Sequence, residues 1–198
     1  IGDLDVRSWT VTWGDETAQM HFAIDHQASD AELDRYMEWV EAVVMEEIAV
    51  YDDIPDFDYG EYTFLASYLP WADSDGMEHR NSTVLTFPGR LPENSLRVLG
   101  TVAHEFFHAW NIERIRPATL EPFDFESANV SFELWFGEGF TSYYDDLAMA
   151  RAGIIDERGF GTRMGALVNT VLNSAGRRFR SPVAMSMRAP FVDAAVSV

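Results

Sequence analysis

The residues with the clearest chemical potential lie in the stretch HEFFHAWNIERIRP, residues 104–117. His104 and His108 are four positions apart, so a helix would place both imidazoles on one face. Neutral imidazole nitrogen is a preferred zinc ligand, and Glu105, about 100° around the helix, would reach a water on the metal without ligating the metal. The spacing therefore predicts a zinc site with a general base beside it. The alternative is a pair of surface histidines on an amphipathic helix.

A catalytic zinc site needs a third protein ligand and an open position. The chain has no cysteine, so the third ligand must be His, Asp or Glu. Glu138, in ELWFGEGFTSYYDD, is the best candidate, because a carboxylate among apolar and aromatic residues needs a partner. A solvent-facing Glu138 is the alternative. Asp145, two turns further along the same helical face, or Thr141 is expected to orient a ligand histidine.

The elements that must position these residues follow from hydrophobic periodicity. Alternating apolar and polar residues predict strands at 6–13, 20–27, 59–69 and 82–89. Helical spacing and capping residues predict helices over 29–51, from Asn94 or Ser95 to before Pro117, over 132–153, and over 156–179. We therefore expect an α+β fold in one domain over 1–198. Its mixed strand and helix lobe would cover about residues 1–94, and its mainly helical lobe about 95–198.

The composition excludes several classes of partner. The 198 residues include 33 acidic and 14 basic ones, a net charge of −19. Such a surface repels phosphate backbones and anionic lipid, so we expect neither nucleic acid nor membrane as a partner. The chain begins at Ile1 and shows no signal peptide, so we expect a piece of a longer protein. The compartment is not fixed, and an exported or periplasmic protein is compatible with the composition.

Three blocks of the sequence together resemble the glycyl-aminopeptidase-type zinc metallopeptidases of the gluzincin group. They are GMEHRNST (76–83), HEFFHAWNIERIRP (104–117) and WFGEGFTSYYDDL (135–147), and the similarity covers most of residues 59–180. The resemblance implies a thermolysin-like catalytic domain with Zn²⁺ as cofactor. By position, it implies that His104, His108 and Glu138 bind zinc and that Glu105 is the general base.

The same resemblance implies a substrate and an activity. Glu78 would hold the free amino terminus of a peptide, although a loop carboxylate paired with Arg80 or His79 is the alternative. The activity would be zinc-dependent hydrolysis that removes N-terminal residues, with glycine or another small residue preferred. A zinc endopeptidase, or a catalytically silent, metal-stabilised peptide-binding module, remains an alternative.

One departure from the family pattern supports the silent module. The related aminopeptidases use a tyrosine after the third ligand to stabilise the oxyanion, and no tyrosine follows Tyr144 in this sequence. We expect that tyrosine to lie beyond this chain or to be lost. The resemblance also implies an N-terminal β domain and a PDZ domain in the full-length protein.

Overall fold

A mixed five-stranded sheet forms one layer of the computed structural model, which describes residues 4–192. The strands are β1 (Asp5–Trp13), β2 (Glu16–Asp25), β3 (Glu61–Tyr68), β4 (Asp75–His79) and β5 (Ser82–Phe87), in the order β1-β2-β3-β5-β4. β2, β3 and β5 are parallel, whereas β1 and β4 pair antiparallel at the two edges. The ends of the predicted domain, residues 1–3 and 193–198, lie outside the described residues.

Five α-helices accompany the sheet in the described part of the chain: α1 (Asp30–Tyr51), α2 (Ser95–Phe107), α3 (Leu134–Arg151), α4 (Glu157–Asn173) and α5 (Pro182–Ser186). α1 is the crossover between the parallel strands β2 and β3, and it contacts both α2 and α3. The Glu32 carboxylate accepts hydrogen bonds from the backbone N–H and the hydroxyl of Ser29, both at 2.8 Å, which stabilises the start of α1. Within residues 4–192, none of the helices is long and apolar enough to cross a membrane.

The core lies between the sheet and the helices α1 and α2. Helical spacing in the sequence predicts an apolar stripe along α2, and every member of that stripe is at most 3% exposed: Leu99, Val102, Ala103, Phe106 and Trp110. From the sheet, β3 contributes alternate aromatic residues, and Phe106 packs against Tyr62 and Phe64 with ring centroids 5.1 and 5.5 Å apart. Because this face of α2 is held against the sheet, its histidine-bearing face is directed towards α3, which α2 also contacts.

Several boundaries differ from the sequence predictions, and two elements, β4 and α5, were not predicted. α2 ends at Phe107, so His108 is the residue that caps it, and turns follow up to residue 115. α4 ends at Asn173, short of the predicted 179. β4 was not predicted, because DGMEH has no regular alternation of bulky apolar residues. The predicted mixture of strand and helix is confirmed, whereas the thermolysin-like description and the two lobes remain predictions.

Candidate active site and metal centre

Two imidazoles and one carboxylate converge between α2 and α3. Nε2 of His104 lies 3.2 Å from Oε2 of Glu138, and Nε2 of His108 lies 3.7 Å from the same oxygen. Two ligands about 2.1 Å from a tetrahedral zinc ion are about 3.4 Å apart, close to both distances. The donor set of two neutral imidazoles and a carboxylate is also one that catalytic zinc uses. The three residues therefore fit a zinc ion in both spacing and chemistry.

The other ring nitrogen of each histidine is held by the protein. Nδ1 of His108 donates to the backbone carbonyl of Asn111 at 2.8 Å. Since a carbonyl only accepts, neutral His108 carries its proton on Nδ1 and keeps a lone pair on Nε2. Nδ1 of His104 lies 3.0 Å from the Asp145 carboxylate, as the seven-residue spacing from Glu138 led us to expect. Both rings are therefore oriented with Nε2 towards Glu138.

A buried amide fixes the junction between the end of α2 and α3. The Asn111 side chain donates to the carbonyl of Gly137 at 3.0 Å and to the hydroxyl of Thr141 at 3.1 Å. Thr141 Oγ1 is itself 3.5 Å from Nδ1 of His108. Tyr144 stacks on Phe107, with ring centroids 5.0 Å apart, so it packs between the helices rather than facing the ligand atoms. These contacts hold Glu138, one residue beyond Gly137, opposite the histidines.

Glu105 lies beside the three candidate ligands and is only 6% exposed. Its Oε2 is buried and forms no hydrogen bond within the described residues. Burial raises the pKa of Glu105 to about 7, although the neighbouring His104 and His108 act in the opposite direction. A buried carboxyl with an unpaired oxygen and a pKa near neutrality has the properties of a general base.

Strand β4 closes the site on the Glu105 side. A side chain at Gly76 would place its Cβ 2.7 Å from Cδ of Glu105, so only glycine leaves room for the carboxyl group there. Glu78, two residues further along β4, joins Glu105 and His108 in a cluster whose ligand atoms lie within 4.8 Å of one another. Arg80, one of the alternative partners of Glu78, pairs instead with Asp58 at 3.3 Å. The Glu78 carboxylate therefore faces the site.

The local electrostatics favour a cation among the three ligand atoms. Burial alone would raise the pKa of Glu138, but hydrogen bonds with His104 and His108 hold that pKa far below its ordinary value. Burial likewise opposes protonation of His104, yet Asp145 and Glu138 outweigh it and raise the pKa of His104 to about 10. Carboxylates on both sides of the imidazoles therefore stabilise positive charge at this point. A cleft of about 660 Å³ opens beside His104 and Glu105.

The sequence located the histidine pair, Glu105, Glu138 and Asp145, and the structure brings all five together. It did not locate the Asn111 carbonyl as the partner of His108, because backbone acceptors carry no residue-type signal. Nor did it assign a role to Gly76, although that residue lies in the quoted block 76–83. Gly139, one residue after Glu138, faces open space.

Comparisons with known proteins identify a matching family and similar structures. The family model for M61 glycyl aminopeptidase matches residues 97–196. The crystal structure of an aminopeptidase N family protein from Idiomarina loihiensis aligns with a TM-score of 0.76 and 27% identity, over 93% of this chain and 32% of that one. An M1 zinc metallopeptidase from Deinococcus radiodurans aligns with a TM-score of 0.49 and 17% identity, over 98% of this chain and 38% of that one. No curated protein matches.

This chain therefore spans about a third of the length of the Idiomarina protein. The family match takes in 100 of the 198 residues, from 97 to 196, and this stretch contains both histidines, Glu105 and Glu138. The chain belongs to the M61 glycyl aminopeptidase family.

Proposed function

We propose that the chain is the catalytic part of a zinc-dependent aminopeptidase, which removes N-terminal residues from peptides. The observation that carries the proposal is the convergence of His104 Nε2, His108 Nε2 and Glu138 Oε2, with the buried Glu105 carboxyl beside them. The N-terminal β domain and the PDZ domain that the resemblance implies for the full-length protein remain predictions.

His104, His108 and Glu138 would hold the zinc ion. When bound, zinc supplies a Lewis acid that polarises a carbonyl and makes water more acidic. The contribution of the protein is to keep the ligand atoms in place before the ion arrives. Asp145 and the carbonyl of Asn111 do this for the two rings by holding each Nδ1.

Glu105 would act as the general base. Its unpaired Oε2 accepts the proton of the attacking water and later passes that proton to the leaving amine. Gly76 supports this role, because the backbone of β4 packs against the carboxyl group at a distance that no larger residue allows. A fixed carboxyl loses little orientational freedom on reaching the transition state.

Glu78 would select peptides with a free amino terminus. Its carboxylate lies in the same cluster as Glu105 and His108, on a strand at the edge of the sheet. A peptide ammonium there would gain a charge-assisted hydrogen bond, whereas a blocked terminus would leave the carboxylate unpaired. The M61 family is described as one of glycyl aminopeptidases, which fits a small first residue.

The test uses the full-length protein loaded with zinc, and glycyl peptides with free or acetylated amino termini. We expect the wild type to release glycine from the free peptides alone. Glu105→Gln should retain zinc but lower kcat by about 10²–10⁴-fold, the usual contribution of a general base. Glu78→Gln should lower kcat/KM for free peptides. Glu93→Gln, an exposed carboxylate just before α2, is the matched control and should behave as the wild type.

Each alternative gives a different result in this test. Equal internal cleavage of free and acetylated peptides would identify an endopeptidase and remove the role of Glu78. Zinc binding without turnover of any peptide would identify a silent peptide-binding module. Unchanged turnover in Glu105→Gln would contradict the proposed mechanism itself.

A further inference from the structure

An apolar cavity of about 290 Å³ adjoins the candidate metal centre through Glu138. It lies between the N-terminal turn of α3 and the short helix α5, and Glu138 forms part of its rim. Five apolar residues line it: Leu134, Trp135, Pro182, Met185 and Ala189. We call it the α3–α5 cavity.

Both Ser186 and Glu138, which line this cavity, already have hydrogen-bonding partners. The Ser186 hydroxyl accepts a hydrogen bond from the backbone N–H of Trp135 at 2.9 Å and donates one to the carbonyl of Pro182 at 2.9 Å. The Glu138 carboxylate turns towards the two histidines. A ligand group entering the cavity would therefore meet carbon surface, and a charged or hydrogen-bonding group would lose its water without compensation.

The size and position of the cavity indicate what it holds. An apolar cavity of about 150 Å³ is enough for benzene, so about 290 Å³ accommodates a leucine, methionine or phenylalanine side chain. Because Glu138 belongs to both the cavity and the ligand cluster, a peptide bond at the metal centre would bring its flanking side chains to the rim. A glycine before that bond has no side chain to insert.

We propose that the α3–α5 cavity binds the apolar side chain of the residue that follows the scissile bond. The substrates would then be peptides with a small first residue and a large apolar second residue. This inference rests on the proposed aminopeptidase function, because that function places the peptide bond beside Glu138. Trp135 and Met185 supply the walls, and Ala189 leaves the space that the substrate side chain fills.

The first experiment compares Gly-Xaa-Gly peptides with the zinc-loaded full-length protein, where Xaa is Ala, Leu, Phe or Asp. We expect kcat/KM to rise at least about tenfold from Ala to Leu, since even one methylene in an apolar pocket is worth about 10–200-fold. The Asp peptide should be the poorest. Ala189→Leu fills the cavity and should abolish the preference for Leu over Ala. Met185→Ala enlarges it and should shift the preference towards Phe.

Met187→Ala is the matched control, because Met187 follows α5 but does not line the cavity. It should keep the wild-type ratio of Leu to Ala peptides. Equal kcat/KM for these two peptides in the wild type would overturn the cavity proposal and leave the aminopeptidase function intact. A preference that follows the first residue, with Leu-Gly-Gly favoured over Gly-Gly-Gly, would overturn it as well.

A binding measurement separates failure of the cavity from failure of the chemistry. In the Glu105→Gln background, calorimetry should show Gly-Leu-Gly binding about tenfold more tightly than Gly-Ala-Gly. Adding Ala189→Leu, or Met185→Ala if the first variant does not fold, should change that ratio. If this difference is found although the wild type hydrolyses neither peptide, the cavity binds the side chain of the second residue but the aminopeptidase function fails. Equal affinities would overturn the cavity proposal.

Discussion

His104 and His108 each give one ring nitrogen to the protein and leave the other for a ligand. The two partners that hold Nδ1 are chemically different, a carboxylate for His104 and a backbone carbonyl for His108. Only the carboxylate that holds His104 can be changed by substitution without altering the backbone. Asp145 is therefore the residue at which the orientation of a candidate zinc ligand can be tested separately from the ligands themselves.

We expect Asp145→Asn to weaken zinc binding by about 10–100-fold, the usual effect of removing the partner of a ligating histidine. The amide keeps the size of the side chain but removes the negative charge that stabilises the His104 ring. Competition with a chelator of known affinity measures the change. Asp146→Asn is the control, because the Asp146 carboxylate contacts Arg163 at 2.7 Å rather than a histidine. Equal zinc affinity in both variants would contradict the role of Asp145.

At the scale of elements, part of the fold and of the site could be predicted from the sequence. Helical spacing identified the buried stripe of α2, and the same spacing placed Asp145 on the face of Glu138. The end of α2 could not be predicted, because the chain leaves the helix after Phe107 to bring Asn111 to Gly137 and Thr141. Such long-range hydrogen bonds override local propensity and leave no periodic signal.

Strand β4 could not be predicted from the sequence either. Its sequence lacks alternation, and what fixes its place is pairing with β5 together with packing of Gly76 against Glu105. The consequence is that an edge strand, rather than a side chain, forms the wall behind the candidate general base. Adding one methyl group at Gly76 tests whether the position of this strand matters for the candidate general base.

Gly76→Ala should lower kcat by up to about 10²-fold while zinc content is unchanged, because the added Cβ would lie 2.7 Å from Cδ of Glu105 and displace the carboxyl group. Steady-state kinetics and metal analysis of the same preparation measure both quantities. Gly165→Ala on α4, where a Cβ meets nothing within 4 Å, serves as the control and should retain full activity. Full activity in Gly76→Ala would show that Glu105 does not need this wall.

At the scale of the whole molecule, the candidate metal centre would join α2 to α3, since its ligands come from both. Zinc at 100 times its Kd would then stabilise the folded protein by about 2.7 kcal/mol, or about 5–10 °C in Tm for a domain of this size. Differential scanning calorimetry with and without zinc measures the shift. Glu105→Gln should show the full shift, and Glu138→Ala should show much less. An undiminished shift in Glu138→Ala would exclude it as a ligand.

A buried carboxyl group that is not a candidate zinc ligand also affects the stability of the whole domain. Glu47 in α1 is fully buried, and neither of its carboxyl oxygens has a hydrogen-bond partner among the described residues. Burial, and then the charge of Asp145, raise the pKa of Glu47 well above its ordinary value of 4.5. The folded protein therefore holds a proton on Glu47 at pH values where the unfolded chain has released it.

This difference sets the sign of a pH dependence. Below pH 4.5, Glu47 is protonated in both states; above it, folding must take up a proton, so this group's contribution to stability falls as pH rises towards its folded pKa. Glu47→Gln removes that proton uptake. In zinc-free protein, the free energy of unfolding of the variant minus that of the wild type should therefore increase with pH. The increase should be up to about 1.4 kcal/mol per pH unit from pH 5 upwards. Urea unfolding between pH 5 and 8 measures it. Glu38→Gln, on the exposed side of α1, should stay parallel to the wild type, and a Glu47→Gln curve parallel to both would mean that Glu47 is ionised in the folded protein.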